Sequence, residues 1–150
     1  MPLNMNQKIK HGEIWTANLN PRQGTEPGKV RPVLIIQSQA LLDAKHPSTL
    51  IIPLTTNLID HAEPLRLRIF AQDKLKQDSD LLIDQMRAID NNRLTKGPLL
   101  KCDGEFIRKV YSAIIEIIDL PIPYPSPATP KSYWQIFEEA APYEIDSGCC

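Results

Sequence analysis

Hydrophobic residues in this 150-residue chain arrive in short runs, and most runs are closed by Pro, Gly, Asn or Asp. Runs of four to seven residues are strand-sized and too short for most helices, so the pattern points to a β-rich fold. Glu13 to Leu19 alternates, with Ile14, Thr16 and Asn18 opposing Trp15, Ala17 and Leu19. Asn20 to Lys29 is rich in Pro and Gly and reads as a loop. Val33 to Ile36 is continuously apolar, which predicts a strand buried on both faces. Ala40 to Ala44 is expected to form one helical turn. Thr49 to Thr55 reads as a third strand, and Pro53, which lacks a ladder donor, is expected at an edge or bulge. Leu65, Leu67 and Ile69 alternate with Arg66 and Arg68, and short strands follow at Leu81–Ile83 and Met86–Ile89.

One stretch departs from this rhythm. Phe106, Val110, Ile114 and Ile117/Ile118 recur at helical spacing, with Asp103 placed to cap the first turn and Glu105 favourable within it. Many short strands and one closing helix predict a small, strongly bent antiparallel sheet or barrel with the helix packed against it.

After Leu120 the composition changes. Pro121, Pro123, Pro125, Pro127 and Pro130 disfavour helix and sheet alike and favour an extended tether. The expected organisation is an N-terminal extension over 1–10, a domain over 11–120, a Pro-rich linker over 121–131 and an acidic, aromatic tail over 132–150. Lys131 against Glu138, Glu139, Glu144 and Asp146 gives the tail a charge of −3, so a whole-chain charge of −1 leaves +2 for the remainder. The near-neutral total makes the chain as a whole no strong attractant for nucleic acid. Cys102 stands alone and Cys149 and Cys150 are adjacent, which writes neither a disulfide framework nor a CxxC metal site. No apolar stretch approaches the roughly 18 residues of a membrane span. A soluble protein of a reducing cytoplasm is the expectation.

Arg31 ends the loop, is pushed towards an extended conformation by Pro32, and is anchored by the strand that follows. Thr55 and Thr56 end the third strand, where their hydroxyls are expected at the same rim. An Arg fork with a nearby hydroxyl suits the charge that builds on phosphorus during metal-free RNA cleavage. Composition and spacing leave a second reading open, in which Arg31 is an ordinary ion-paired residue and Thr55–Thr56 ordinary strand chemistry. His11, His46 and His61 fall outside these blocks. Asp73, Asp78, Asp80 and Asp84 lack the spacing of a calcium loop and read as a solvated acidic stretch. Lys29, Arg31, Arg66, Arg68 and Arg87 are candidate phosphate contacts, while Trp15 and Phe70 are expected in the core rather than stacked on bases.

Gly12-Glu13-Ile14-Trp15, Leu19-Asn20-Pro21, Gly24-Thr25-Glu26-Pro27-Gly28-Lys29-Val30-Arg31-Pro32-Val33-Leu34-Ile35-Ile36, Ile52-Pro53-Leu54-Thr55-Thr56 and Leu81-Leu82-Ile83-Asp84-Gln85-Met86-Arg87-Ala88-Ile89-Asp90 occur in this order. Together they resemble the MazF/PemK/Kid family of toxins, over about residue 11 to Leu120. The resemblance implies an SH3-like small β-barrel with a C-terminal helix. It implies a cytoplasmic, homodimeric, metal-independent endoribonuclease that cuts single-stranded mRNA at a short sequence. Attack by the RNA's own 2′-hydroxyl would leave a 2′,3′-cyclic phosphate and a 5′-hydroxyl, with no cofactor. Its other partner would be a cognate, MazE-like antitoxin. Arg31 and Thr55 match the family's catalytic pair, and Glu26 an acidic loop residue with a role in some members; Glu26 and Arg31 both stay open as general base. Thr25, where the family usually has Ser, is assigned with Lys29, Thr56, Asn57, Gln85 and Arg87 to the RNA-binding surface. Two alternatives remain: a CcdB-like toxin that poisons DNA gyrase without cutting RNA, and a binding module inhibited by its own tail. For the tail itself, a docking peptide over Tyr133–Glu139 and a functionless extension are both open readings.

Overall fold

The computed structural model describes residues 8–120; the expected linker and tail, and with them the docking-peptide reading, lie outside the described residues. Seven strands form an antiparallel sheet: β1 (Glu13–Asn18), β2 (Val30–Ile35), β3 (Ser48–Thr55), β4 (Arg66–Ile69), β5 (Ser79–Leu82), β6 (Arg87–Asp90) and β7 (Leu94–Lys101). A short helix α1 (Gln39–Asp43) follows β2, and α2 (Gly104–Ile117) closes the domain. The strand order is β4-β5-β3-β2-β1-β7, with β6 also paired to β3. The result is mainly β, curved like a barrel but left open, with a C-terminal helix, as the spacing of the apolar runs predicts.

The alternation assigns each strand face to one of two cores. Trp15, Ala17, Val33, Ile35, Ile51, Ile89 and Leu94 fill one side of the sheet. Ile14, Leu34, Ile52, Leu54, Leu81 and Leu100 fill the other, under Ile107, Val110 and Ala113 of α2. Hence β2 is apolar at successive positions: its neighbours in sequence point into different cores. Asp103 caps α2, its side chain accepting from the Phe106 amide at 2.7 Å. The buried stripe runs along Ile107, Val110 and Ala113; Phe106, Ile114 and Ile117 of the expected line are half-buried against the same core, and Ile118 is exposed.

Pro53 departs from expectation, because β3 is central rather than an edge. On one side β3 pairs with β2. On its other side it pairs with β6 up to Ile51 and with β5 from Leu54. Pro53 falls in the seam between those two partners, where the missing donor leaves no ladder bond unmade. Strand β7 carries no clean alternation, since Gly97 and Pro98 interrupt it. Pro98 is tolerated because β7 ends the strand order. Gly97 is required by packing: a Cβ there would lie 2.4 Å from the Trp15 indole. Phe70, expected inside, is 65% exposed.

Cys102 is buried beneath α2, and desolvation with the charge of Asp103 pushes its thiol up to about 12. A thiolate is the reactive form. An alkylating reagent at pH 8 is therefore expected to leave Cys102 unmodified in the folded protein and to label it in denaturant, as peptide mapping would show.

Candidate active site

A pocket of about 370 Å³ opens where the β2–β3 ladder ends. Lys29 to Pro32 form one wall, Leu54 to Asn57 the other, and Ser79 of β5 contributes beside them. The register explains why these residues meet. Val33 pairs with Pro53, so two residues further along the antiparallel pair Arg31 stands opposite Thr55. Blocks more than twenty residues apart in sequence thus form the two lips of one opening.

Arg31 is held from both lips. Its Nε donates to the Gly28 carbonyl at 2.7 Å and its Nη1 to the Leu54 carbonyl at 3.3 Å. The second bond satisfies a backbone acceptor that the fraying ladder would leave open. A guanidinium has five donors, so donors remain for a ligand in the pocket. Partial burial, and then the nearby charge of Arg22, push the Arg31 guanidinium below its ordinary value. The Thr55 hydroxyl accepts from the Asn57 amide at 3.2 Å, which leaves its proton available to donate.

The loop that delivers Arg31 is fixed at its base. The Lys29 amide donates to Asn20 Oδ1 at 2.8 Å, and the Leu19 amide to the Lys29 carbonyl at 2.9 Å. Arg93 Nη1 donates to the carbonyls of Asn18 and Asn20 at 3.1 and 2.7 Å. Gly28 is held by close packing, since a Cβ there would meet the Arg22 Cβ at 2.7 Å. Arg22, Ser79 and Arg93 lie outside every sequence motif, and only their contacts in the fold mark them.

The structure gathers Lys29, Arg31, Thr55, Thr56 and Asn57 into the pocket. It does not bring Thr25, Glu26, Gln85 or Arg87 to its lining. Thr25 is exposed in the loop, and Gln85 ends a 3-10 turn over Ile83–Gln85. Glu26 pairs with Arg87 at 3.5 Å, tying the loop to β6. Of the two residues expected as candidate general base, Arg31 lines the pocket and Glu26 does not.

The expectations for Asp80 and for Arg66 and Arg68 are corrected. Asp80 is no solvated acid: it is 1% exposed, and its Oδ1 accepts from Arg68 Nε at 2.9 Å. Arg68 also pairs with Asp60, and Arg66 Nη1 lies 3.7 Å from Asp80 Oδ2. The two arginines expected at phosphate are thus largely neutralised within the fold. His11, expected to lie outside the catalytic blocks, is tied into the fold. Its Nδ1 faces the Gln37 carbonyl at 2.9 Å, and its Nε2 faces the Tyr111 hydroxyl at 2.6 Å. Because a carbonyl only accepts, Nδ1 carries a proton and donates it to Gln37.

Burial alone would raise the Asp80 carboxyl, but the Arg68 bonds, the Ile59 amide and the arginine charges outweigh it and hold it low. A depressed carboxyl contributes stability that is complete above its ordinary value of 3.8 and is lost as pH falls through the folded value. The thermal midpoint is expected to drop below pH 3.8, and more steeply in the wild type than in Asp80→Asn.

Among the described residues, no three His, Cys, Asp or Glu side chains gather to hold a metal ion, and no helix is long and apolar enough to cross a membrane. Comparison with known proteins gives the site its context. The chain is 35% identical over 108 residues to an endoribonuclease MazF of Staphylococcus saprophyticus, covering 71% of this chain and 88% of that one. The fold resembles MazF of Deinococcus radiodurans, with a TM-score of 0.65, 17% identity, and coverage of 77% of this chain and 100% of that one. It also resembles an endoribonuclease from a mycobacterial species solved in complex with its cognate antitoxin, with a TM-score of 0.58, 17% identity, and coverage of 75% and 97%. Residues 10–118 match the family model for PemK-like, MazF-like toxins of type II toxin–antitoxin systems, and it is to this family that the chain belongs.

Proposed function

We propose that this toxin is an endoribonuclease that cuts single-stranded mRNA at a short sequence and needs no metal to do so. The observation that carries the reading is the convergence of Arg31 and Thr55 on one pocket, with the arginine held by two backbone carbonyls.

The chemistry follows from those groups. RNA supplies its own nucleophile in the 2′-hydroxyl, which attacks the adjacent phosphorus and expels the 5′-oxygen. The steps are loss of the 2′ proton, stabilisation of the charge gathering on the phosphoryl oxygens, and protonation of the leaving oxygen. Arg31 supports the second step: a cationic fork, already oriented, donates to the phosphoryl oxygens without reorganising. The Thr55 hydroxyl donates from the opposite lip, and Lys29 adds long-range attraction for the backbone. Arg31 and Glu26 are the two candidates for accepting the 2′ proton. The lowered Arg31 pKa runs in the direction such a role requires, although a guanidinium makes an awkward base. Thr25, Thr56, Asn57, Gln85 and Arg87 are assigned to the RNA path around the pocket. The toxin is further read as a cytoplasmic homodimer neutralised by a cognate MazE-like antitoxin, in keeping with the antitoxin complex of its mycobacterial relative.

The experiment is incubation of the purified chain with a long single-stranded RNA in excess EDTA. Primer extension maps the cuts, and the 3′ ends are tested for a cyclic phosphate. Discrete cuts with cyclic ends, slowed by Thr55→Val, are expected. Absence of cutting both in the full chain and in a chain ending at Leu120 would move the assignment to a toxin that binds its target without cleaving it.

A further inference from the structure

We propose that Asp80 is a positioning residue for RNA cleavage: its buried carboxylate, acting with Arg66, fixes the backbone of Asn57–Ile59 and so sets the rim that carries Thr55. The inference rests on the function proposed for the pocket and adds to it a group that never touches the reacting atoms.

The rim needs an anchor, because it has none in the hydrophobic core. Residues 56–60 are all exposed, and Leu58 and Ile59 turn their side chains to solvent at 41% and 49% exposure. The position of this segment is therefore set by polar contacts. Asp80 is paired with Thr55 across β3 and β5, which places the anchor alongside the proposed catalytic hydroxyl. Asp80 Oδ2 accepts from the Ile59 amide at 2.9 Å. Arg66, 3.7 Å from the same oxygen, donates through Nη1 to the Asn57 carbonyl at 2.9 Å. Asn57 in turn donates its amide to the Thr55 hydroxyl at 3.2 Å. One carboxylate thus holds both ends of the three-residue segment, and the chain of contacts ends on Thr55 itself. Arg68, bound to Asp80 through Nε at 2.9 Å and also paired to Asp60, keeps the carboxylate aimed at the rim. Desolvation cancels much of the attraction in a buried ion pair, so the bonds that Asp80 directs at the rim matter beyond its pairing with Arg68.

The test uses the full chain with Arg66→Met, Arg66→Lys and Asp80→Asn, and an oligoribonucleotide containing one mapped cut. Arg66→Met removes the outer contact while leaving Asp80 and Arg68 paired. It is expected to keep the wild-type thermal midpoint within a few degrees, to lower kcat about tenfold and to leave KM within about twofold; Arg66→Lys should recover part of the loss. Deuterium exchange at the Asn57 and Ile59 amides should rise in Arg66→Met and Asp80→Asn, with β1 and β2 unchanged in Arg66→Met. Unchanged kcat despite faster rim exchange, or unchanged rim exchange, would overturn the proposal. If the wild type cuts no RNA, the function reading fails separately. Rim exchange then decides the anchoring role: acceleration confined to residues 57–59 upholds it, and no change removes it.

Discussion

Replacing Arg31 with alanine is expected to slow RNA cleavage by roughly two to three orders of magnitude, the usual cost of losing a preorganised donor aimed at developing charge. The loss should fall on kcat in single-turnover measurements, because the arginine is bound to protein carbonyls before substrate arrives and is worth most when the phosphoryl oxygens gain charge. Stability should change by only about 1 kcal/mol. The Gly28 and Leu54 carbonyls that lose their partner face an open pocket and can turn to water. Arg31→Lys should fall between, because an ammonium keeps the charge and cannot make both tethers and a two-pronged phosphate contact at once. Expression of the alanine variant should no longer arrest growth. Cutting by Arg31→Ala at the wild-type rate would remove Arg31 from the mechanism.

The largest effect on stability is expected at Trp15. Its side chain is completely buried, and its indole Nε1 donates to Glu13 Oε2 at 2.9 Å. Trp15→Ala combines a cavity with a weakened partner for a buried carboxylate, which keeps the Lys10 amide at 3.1 Å. The cost should be about 3–5 kcal/mol, read as a lower urea midpoint at unchanged slope. Against a typical total of about 5–15 kcal/mol, that is enough to unfold part of the population at body temperature. Gly97→Ala approaches the same contact from the other side. The added methyl meets the indole at 2.4 Å, and overpacking of this kind costs about 1–3 kcal/mol.

How much of this was legible beforehand depended on whether the relevant partner lay nearby in sequence. The two faces of β1 could be read from Ile14 against Trp15, and the double burial of β2 from four apolar residues in a row. The capped helix is announced by Asp103 and a helical period, and Phe106, Val110, Ile114 and Ile117 all pack on the core; Ile118, at the C-cap beyond the last turn, does not. Strand β7 was invisible, since Gly97 and Pro98 read as a break and only the indole packed against Gly97 explains them. Asp80 was misread for a similar reason. In the string Lys76-Gln77-Asp78-Ser79-Asp80 it resembles solvated charge, and the arginines that bury it lie twelve and fourteen residues earlier. The meeting of Arg31 with Thr55 is suggested by their places at strand ends and by the family resemblance, while its physical cause, the β2–β3 register, becomes visible only in three dimensions. No local pattern distinguishes Glu26 from any other loop acid, so its pairing with Arg87 was out of reach.

The placement of β1 between β2 and β7 has a consequence for biosynthesis. Glu13 pairs with Lys101, so among the described residues the first strand made is sealed on one side by the last. Such end-to-end contacts close a long loop and slow folding relative to helical proteins. Translation delivers about 5–20 residues per second, so the nascent chain waits several seconds with the outer edge of β1 unpaired. Both lips of the pocket are synthesised early, yet the sheet behind them is finished only when residue 101 has emerged. The sheet that carries the pocket is therefore closed only after nearly all of the described domain has been made.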